Sequence, residues 1–218
     1  MTVPSSASRL ITTAARERLQ PLGLRQRGRS RLWLDDHGWW LAAVDFFAPR
    51  SGQGSGLTVG AMWLWQDVGH VTFNVRAAHR GSQEFRNETQ FAAVAADLAR
   101  RAEQQAIEFR HRFADLDSVA ASLLGQPIRR GDVPGNLNAG IAAALVGDAS
   151  AARDRFSAVL AEDPFADWIL TAQQTAQSLF AAADDAAAVR EWSRAAVLSC
   201  RSKLALADVP ESAGDPFA

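Results

Sequence analysis

Four arginines occupy alternate positions in the run RQRGRSR: Arg25, Arg27, Arg29 and Arg31. In one continuous strand, alternate side chains share a face, so the four guanidinium groups would line one side and Trp33 would continue the row. Neighbours on that face would stand roughly 6.6–7 Å apart. A planar, permanently charged row beside an indole suits phosphates, carboxylates or an acidic protein surface. The competing reading is a solvated basic strand face that discourages edge pairing.

Five of the seven tryptophans fall within residues 33–65: Trp33, Trp39, Trp40, Trp63 and Trp65. Such rings could stack nucleic-acid bases on a curved sheet, or fill its core. Trp39 and Trp40 are adjacent, so on a regular strand they face opposite sides. The four histidines, His37, His70, His79 and His111, lack metal-ligand spacing, and no carboxylate pair is placed to orient them. His70, Asn74 and Arg76 would share one strand face, the one place where an enzymatic site could be assembled. Gly52, Gly54 and Gly56 do not form a phosphate loop, because a strand and not a helix follows them. Cys200 is the only cysteine, which excludes an intrachain disulfide and a cysteine zinc site. No cofactor and no metal are expected.

Composition narrows the class. The 218 residues are 48% hydrophobic with a formal charge of −1, as expected of a soluble globular protein with one large or two small domains. Residues 1–34 contain seven arginines and one acid, Glu17, so the positive charge is concentrated there. Lys203 is the only lysine and tyrosine is absent, a pattern that points to a GC-rich coding bias and a bacterial source. MTVPSSASRL has no secretory pattern, and no apolar run reaches the ~18 residues of a spanning helix. A cytoplasmic location without membrane association is therefore expected.

These residues must be carried by recognisable elements. Apolar positions at helical spacing predict a helix over 6–20, capped by Ser6 or Ser8 and stopped by Pro21 and Gly23. Residues 24–79 change to a period of two and predict four strands in an antiparallel meander. The first covers about 24–35, the turn Asp35-Asp36-His37-Gly38 follows, and the fourth covers HVTFNVRA. A long helix over 88–112 would cover the sheet, and a short helix follows at 116–124. Helices are predicted at about 137–146, 149–161, 165–182 and 186–206, with Asp148 and Asp163 as caps. The expected organisation is an α+β sheet domain over 1–125, a linker over 126–136, and a helical-hairpin domain over 137–218 with a disordered C-terminal tail.

Two resemblances follow. Leu22, Gly23, Leu24, Arg25, Arg27 and Gly28, after a helix and before a Trp-rich meander, make residues 9–125 resemble a bacterial domain family of unknown function. That resemblance implies a helix, a basic first strand, antiparallel strands and a long helix, and it implies no catalytic residue. Residues 133–166 resemble a single tetratricopeptide repeat. Its small position falls on Gly140, its turn on Gly147-Asp148, its second-helix positions on Ala152 and Phe156, and its closing proline on Pro164. Ala139 and Val159 depart from the pattern, and Arg190 stands where the next repeat would have its aromatic. The implied structure is two helical hairpins stacked like repeats.

Stacked hairpins commonly present a concave peptide-binding surface. The leading expectation is a non-catalytic module that binds another protein, with Trp168 and Trp192 as candidate anchors. Nucleic-acid or polyanion binding through Arg25, Arg27, Arg29, Arg31 and Trp33 is the alternative. An enzyme using His70, Asn74 and Arg76 is the second alternative.

Overall fold

The computed structural model describes residues 5–50, 53–77, 81–209 and 216–217. His79, Ser51, Gly52 and most of the C-terminal tail lie outside the described residues. The architecture is α+β: an N-terminal helix, an antiparallel sheet packed on a long helix, and an all-helical C-terminal region of five helices. The chain divides into two compact units. Described residues within 1–62, 71–111 and 209–213 form the first, and those within 63–70, 112–208 and 214–218 form the second.

In the first unit, α1 (Ser6–Leu19) buries Ala7, Ile11, Ala15 and Leu19 as one stripe. Its cap is Ser5, whose hydroxyl accepts from Ser8 N, and not Ser6 or Ser8 themselves. The strands are β1 (Arg25–Gln26), β2 (Leu32–Asp36), β3 (Trp40–Asp45), β4 (Gly54–Ser55), β5 (Thr58–Trp63), β6 (Val75–Arg76) and β7 (Gln83–Glu84). The main sheet runs β1-β2-β3-β5-β6, and β4 pairs with β7 in a separate ribbon. The main sheet has five strands where four were expected, because the first expected strand folds back on itself. Gly28 adopts φ +57°, a left-handed conformation that a residue with a Cβ reaches only at a cost. The chain reverses there, and Arg25 and Gln26 pair antiparallel with Leu34 and Trp33.

Residues 40–44 of β3 and 59–63 of β5 are buried without alternation, so both faces of these strands are covered. Helix α2 (Glu88–Arg112) supplies a long apolar stripe from Phe91 to Phe109. Exposed ion pairs Arg9–Glu88 at 3.1 Å and Arg18–Glu103 at 3.4 Å link it to α1.

The second unit contains α3 (Leu116–Leu124), α4 (Val133–Leu145), α5 (Ala149–Leu160), α6 (Asp167–Ala181) and α7 (Ala186–Lys203). It also takes in the 3-10 turn Leu64–Gln66. Trp65 donates from Nε1 to buried Asn138 Oδ1 at 2.8 Å, which satisfies both polar groups inside the unit. Trp63 stacks on Trp65 at 5.6 Å and meets Phe113 edge-on at 5.0 Å. Gly140 and Phe156 pack closely: a Cβ at Gly140 would lie 2.5 Å from the Phe156 ring. Helix α7 packs on the 3-10 turn and on α4 more closely than on α6, so the second hairpin does not copy the first.

Segment 126–136, expected as a linker, is tied to the helices beside it. Residues 126–136 lie within the second unit, and α4 begins inside them, capped by Asp132 Oδ1, which accepts from Gly135 N at 3.0 Å. Buried Arg155 explains this. It donates to Asn136 Oδ1 at 3.2 Å, to the Leu124 carbonyl at 3.1 Å and to the Gln126 carbonyl. Gly131 N donates to Glu162 Oε1 at 2.6 Å. A cation at the C-terminal end of α3 satisfies carbonyls the helix cannot. At the C-terminus, Phe217 is buried and its carbonyl accepts from Arg194 at 2.9 Å, so this residue of the expected disordered tail is docked on α7.

Candidate functional site

The arginine row does not exist as one face. The turn Arg27–Ser30 is closed by Ser30 N donating to Arg27 O at 3.1 Å and by Arg27 N donating to Leu32 O at 2.8 Å. Gln26 Nε2 donates to Ser30 O at 2.7 Å across it, and the Ser30 hydroxyl donates to Arg27 O at 2.7 Å. The result is a well-bonded hairpin tip. Arg25 and Arg29 are exposed and Arg27 half-buried, and no described residue pairs with their guanidinium groups. Arg31 is built into the fold. It donates to Ser8 Oγ at 3.3 Å and Gly54 O at 3.0 Å, and burial lowers its pKa while nearby Asp45 opposes that shift. Trp33 is 3% exposed and can present no ring to a ligand. Two-residue alternation holds only along an unbroken strand, and Gly28 breaks it.

The other sheet tryptophans, Trp39, Trp40, Trp63 and Trp65, are buried as well. A base-stacking platform of these rings is therefore absent. The expected face of His70, Asn74 and Arg76 is not one strand either, because β6 comprises only Val75 and Arg76. His70 is exposed and belongs to the second unit, whereas Asn74 and Arg76 belong to the first.

A polar cluster not foreseen from the sequence sits in the first unit. Asp35 was expected in a turn but lies in β2 opposite Ala42, with its side chain buried. Arg110 of α2 grips it through Nε at 2.7 Å and Nη2 at 2.9 Å, and also donates to the Leu22 carbonyl. His37 Nε2 lies 2.9 Å from Asp35 Oδ2, off the line of a well-aligned hydrogen bond, with its ring stacked on Trp40 at 4.1 Å. Burial alone would push the Asp35 carboxyl up, but contacts from His37 and Arg110 outweigh it and hold the group below the usual carboxylate range. An acid–histidine pair can serve a general base, and here Arg110 neutralises the acid. The arrangement ties α2, β2 and the turn before β1 together. Among the described residues, no group of three or more His, Cys, Asp or Glu is placed to hold a metal. No helix among them is long and apolar enough to cross a membrane.

The surface feature with most to offer is in the second unit. Asp163 was expected to cap α6, but the helix begins only at Asp167, behind Ala166, which supplies no side-chain cap. Asp163 precedes Pro164, and a residue before proline is driven from helical to extended backbone. The segment Asp163-Pro164-Phe165-Ala166 consequently stays outside the helix, held by Phe165 N donating to Asp163 O at 2.9 Å. This leaves Phe165 80% exposed and Trp168, in the first turn, 52% exposed. Asp163 and Asp167 are exposed beside them, without a described partner. The other candidate anchor, Trp192, is half-buried on α7. Phe165 was missed in the sequence because a helix starting at Asp163 would have placed it inside the first turn.

Comparison of the chain with protein-family models, with curated proteins and with solved structures finds no match.

Proposed function

We propose that the chain is a non-catalytic protein-interaction module whose helical unit docks a partner at the start of α6. The observation that carries this reading is the exposure of Phe165 and Trp168 side by side at the start of α6. Large aromatics left in water cost hydrophobic free energy, and tryptophan is among the residues most often found as a binding hot spot. Both side chains lie where a docked segment could bury them. The half-buried Trp192 is assigned to the packing of α7.

The test is the paired substitution Phe165→Ser with Trp168→Ser in the full chain. The expected result is an unchanged melting temperature with loss of the proteins that wild type captures from its source cells, scored by quantitative mass spectrometry. An unchanged capture profile would overturn the reading. The polyanion alternative now rests on Arg25, Arg27 and Arg29 alone. It predicts single-stranded nucleic-acid binding at low salt that falls steeply as salt rises.

A further inference from the structure

We propose that the α6 corner receives the arginine hairpin of a second copy of this chain, an assignment that rests on the docking role given to that corner above. The corner reads D-P-F-A-D-W, residues 163–168, with acids and aromatics interleaved and all four of Asp163, Phe165, Asp167 and Trp168 exposed. Arginine is the side chain such a surface fits. Its flat guanidinium stacks on aromatic faces while its donors engage carboxylates.

The charge around the corner points the same way. Along the chain, Phe156 to Val189 holds no lysine or arginine and carries Glu162, Asp163, Asp167 and Asp185, while Asp184 is neutralised by Arg153. The complementary surface is on the same chain. Arg25, Arg27 and Arg29 surround a hairpin tip whose backbone is fixed by its own hydrogen bonds, so little ordering would be needed on contact. Neither the three arginines nor the two acids are paired within the described residues. Each chain thus carries an unsatisfied basic projection and an unsatisfied acidic-aromatic corner. The contact joins unlike patches, so it is heterologous.

Sedimentation velocity of the full chain over a wide concentration range at low salt tests this. The expected result is association that grows with concentration and is weakened at ~0.5 M NaCl, where screening shortens the reach of exposed charges. The variant Asp163→Arg with Asp167→Arg should be monomeric. So should Arg25→Glu with Arg27→Glu and Arg29→Glu. Each of these variants keeps one native patch, so added to wild type it should cap the assemblies at one end and reduce their size. The variant carrying all five reversals should associate again, because each copy then offers a basic corner and an acidic hairpin. Circular dichroism melts of each variant confirm folding, and all substituted positions lie at the surface except half-buried Arg27, so Arg25→Glu with Arg29→Glu serves as the second hairpin variant. A wild type that stays monomeric at every concentration would overturn the proposal, as would association indifferent to the single-patch reversals. Nucleic-acid binding by a monomeric wild type, lost on replacing the hairpin arginines, would also overturn it and return those residues to the polyanion reading. If wild type is monomeric but the Phe165/Trp168 variant still loses captured proteins, this inference alone fails. If capture is unchanged as well, the docking reading fails with it.

Discussion

Replacing Asp35 with asparagine isolates what the buried carboxylate does for the first unit. Asp35 is 5% exposed and accepts two charged hydrogen bonds from Arg110, at 2.7 and 2.9 Å. Hydrogen bonds to charged groups contribute roughly 1.5–3 kcal/mol each when buried. About a third of the Arg110 side chain meets solvent, so screening reduces the total. Asparagine keeps one acceptor but turns an amide donor toward the guanidinium. The expected loss is about 2–3 kcal/mol by urea unfolding at neutral pH. The pH dependence sharpens the test. The folded carboxyl lies below its unfolded value, so the unfolded chain takes up the proton first as pH falls. Stability from this pair is complete above about pH 5 and drains away as pH falls below about 4, through the lowered folded value. Wild type and Asp35→Asn should therefore differ at pH 7 and converge in acid. A double-mutant cycle with Arg110→Gln should show coupling at pH 7 that shrinks with the same profile. A loss under about 0.5 kcal/mol, or a difference constant down to pH 3, would refute the reasoning.

Phe156→Ala should cost about 3–5 kcal/mol, since the ring is fully buried, and Gly140→Ala should cost about 1–3 kcal/mol because its Cβ would strike that ring; chemical denaturation of the two variants checks both, and a neutral Gly140→Ala would show that the helix pair is loosely packed. Arg155→Met should strip the Leu124 and Gln126 carbonyls of their donor and raise tryptic cleavage at exposed Arg129 and Arg130 about tenfold or more, corresponding to about 1.4–2 kcal/mol of local stability; an unchanged cleavage rate would mean that the segment is held by other contacts.

Long elements were legible in the sequence because their signals were redundant. Helices Glu88–Arg112 and Leu116–Leu124 have the bounds that periodicity predicts, and Asp148 caps α5, accepting from Ala151 N at 3.0 Å. The failures share a cause: a single residue overrides a pattern. Gly28 turns one strand into a hairpin and dissolves the arginine row. Pro164 keeps its neighbours out of α6 and exposes Phe165. Asp35 looked like a turn residue, because the partner that makes its burial tolerable is 75 positions away on α2. Such long-range ion pairs leave no local trace. The α6 corner was half legible: Trp168 stood out by type, but its exposure depends on where the helix starts.

Use of that corner in the cell decides between a docking surface and an inert one. Site-specific photo-crosslinking tests it directly, with a benzophenone amino acid in place of Trp168 in the full chain inside its source cells, and the same residue in place of exposed Glu191 as the reference position. The expected result is discrete covalent adducts from position 168 that the reference position does not give, and that disappear when Phe165→Ser, Asp163→Arg and Asp167→Arg are added. Identical adduct patterns from the two positions, or none from position 168 while the chain is folded and irradiated, would contradict it.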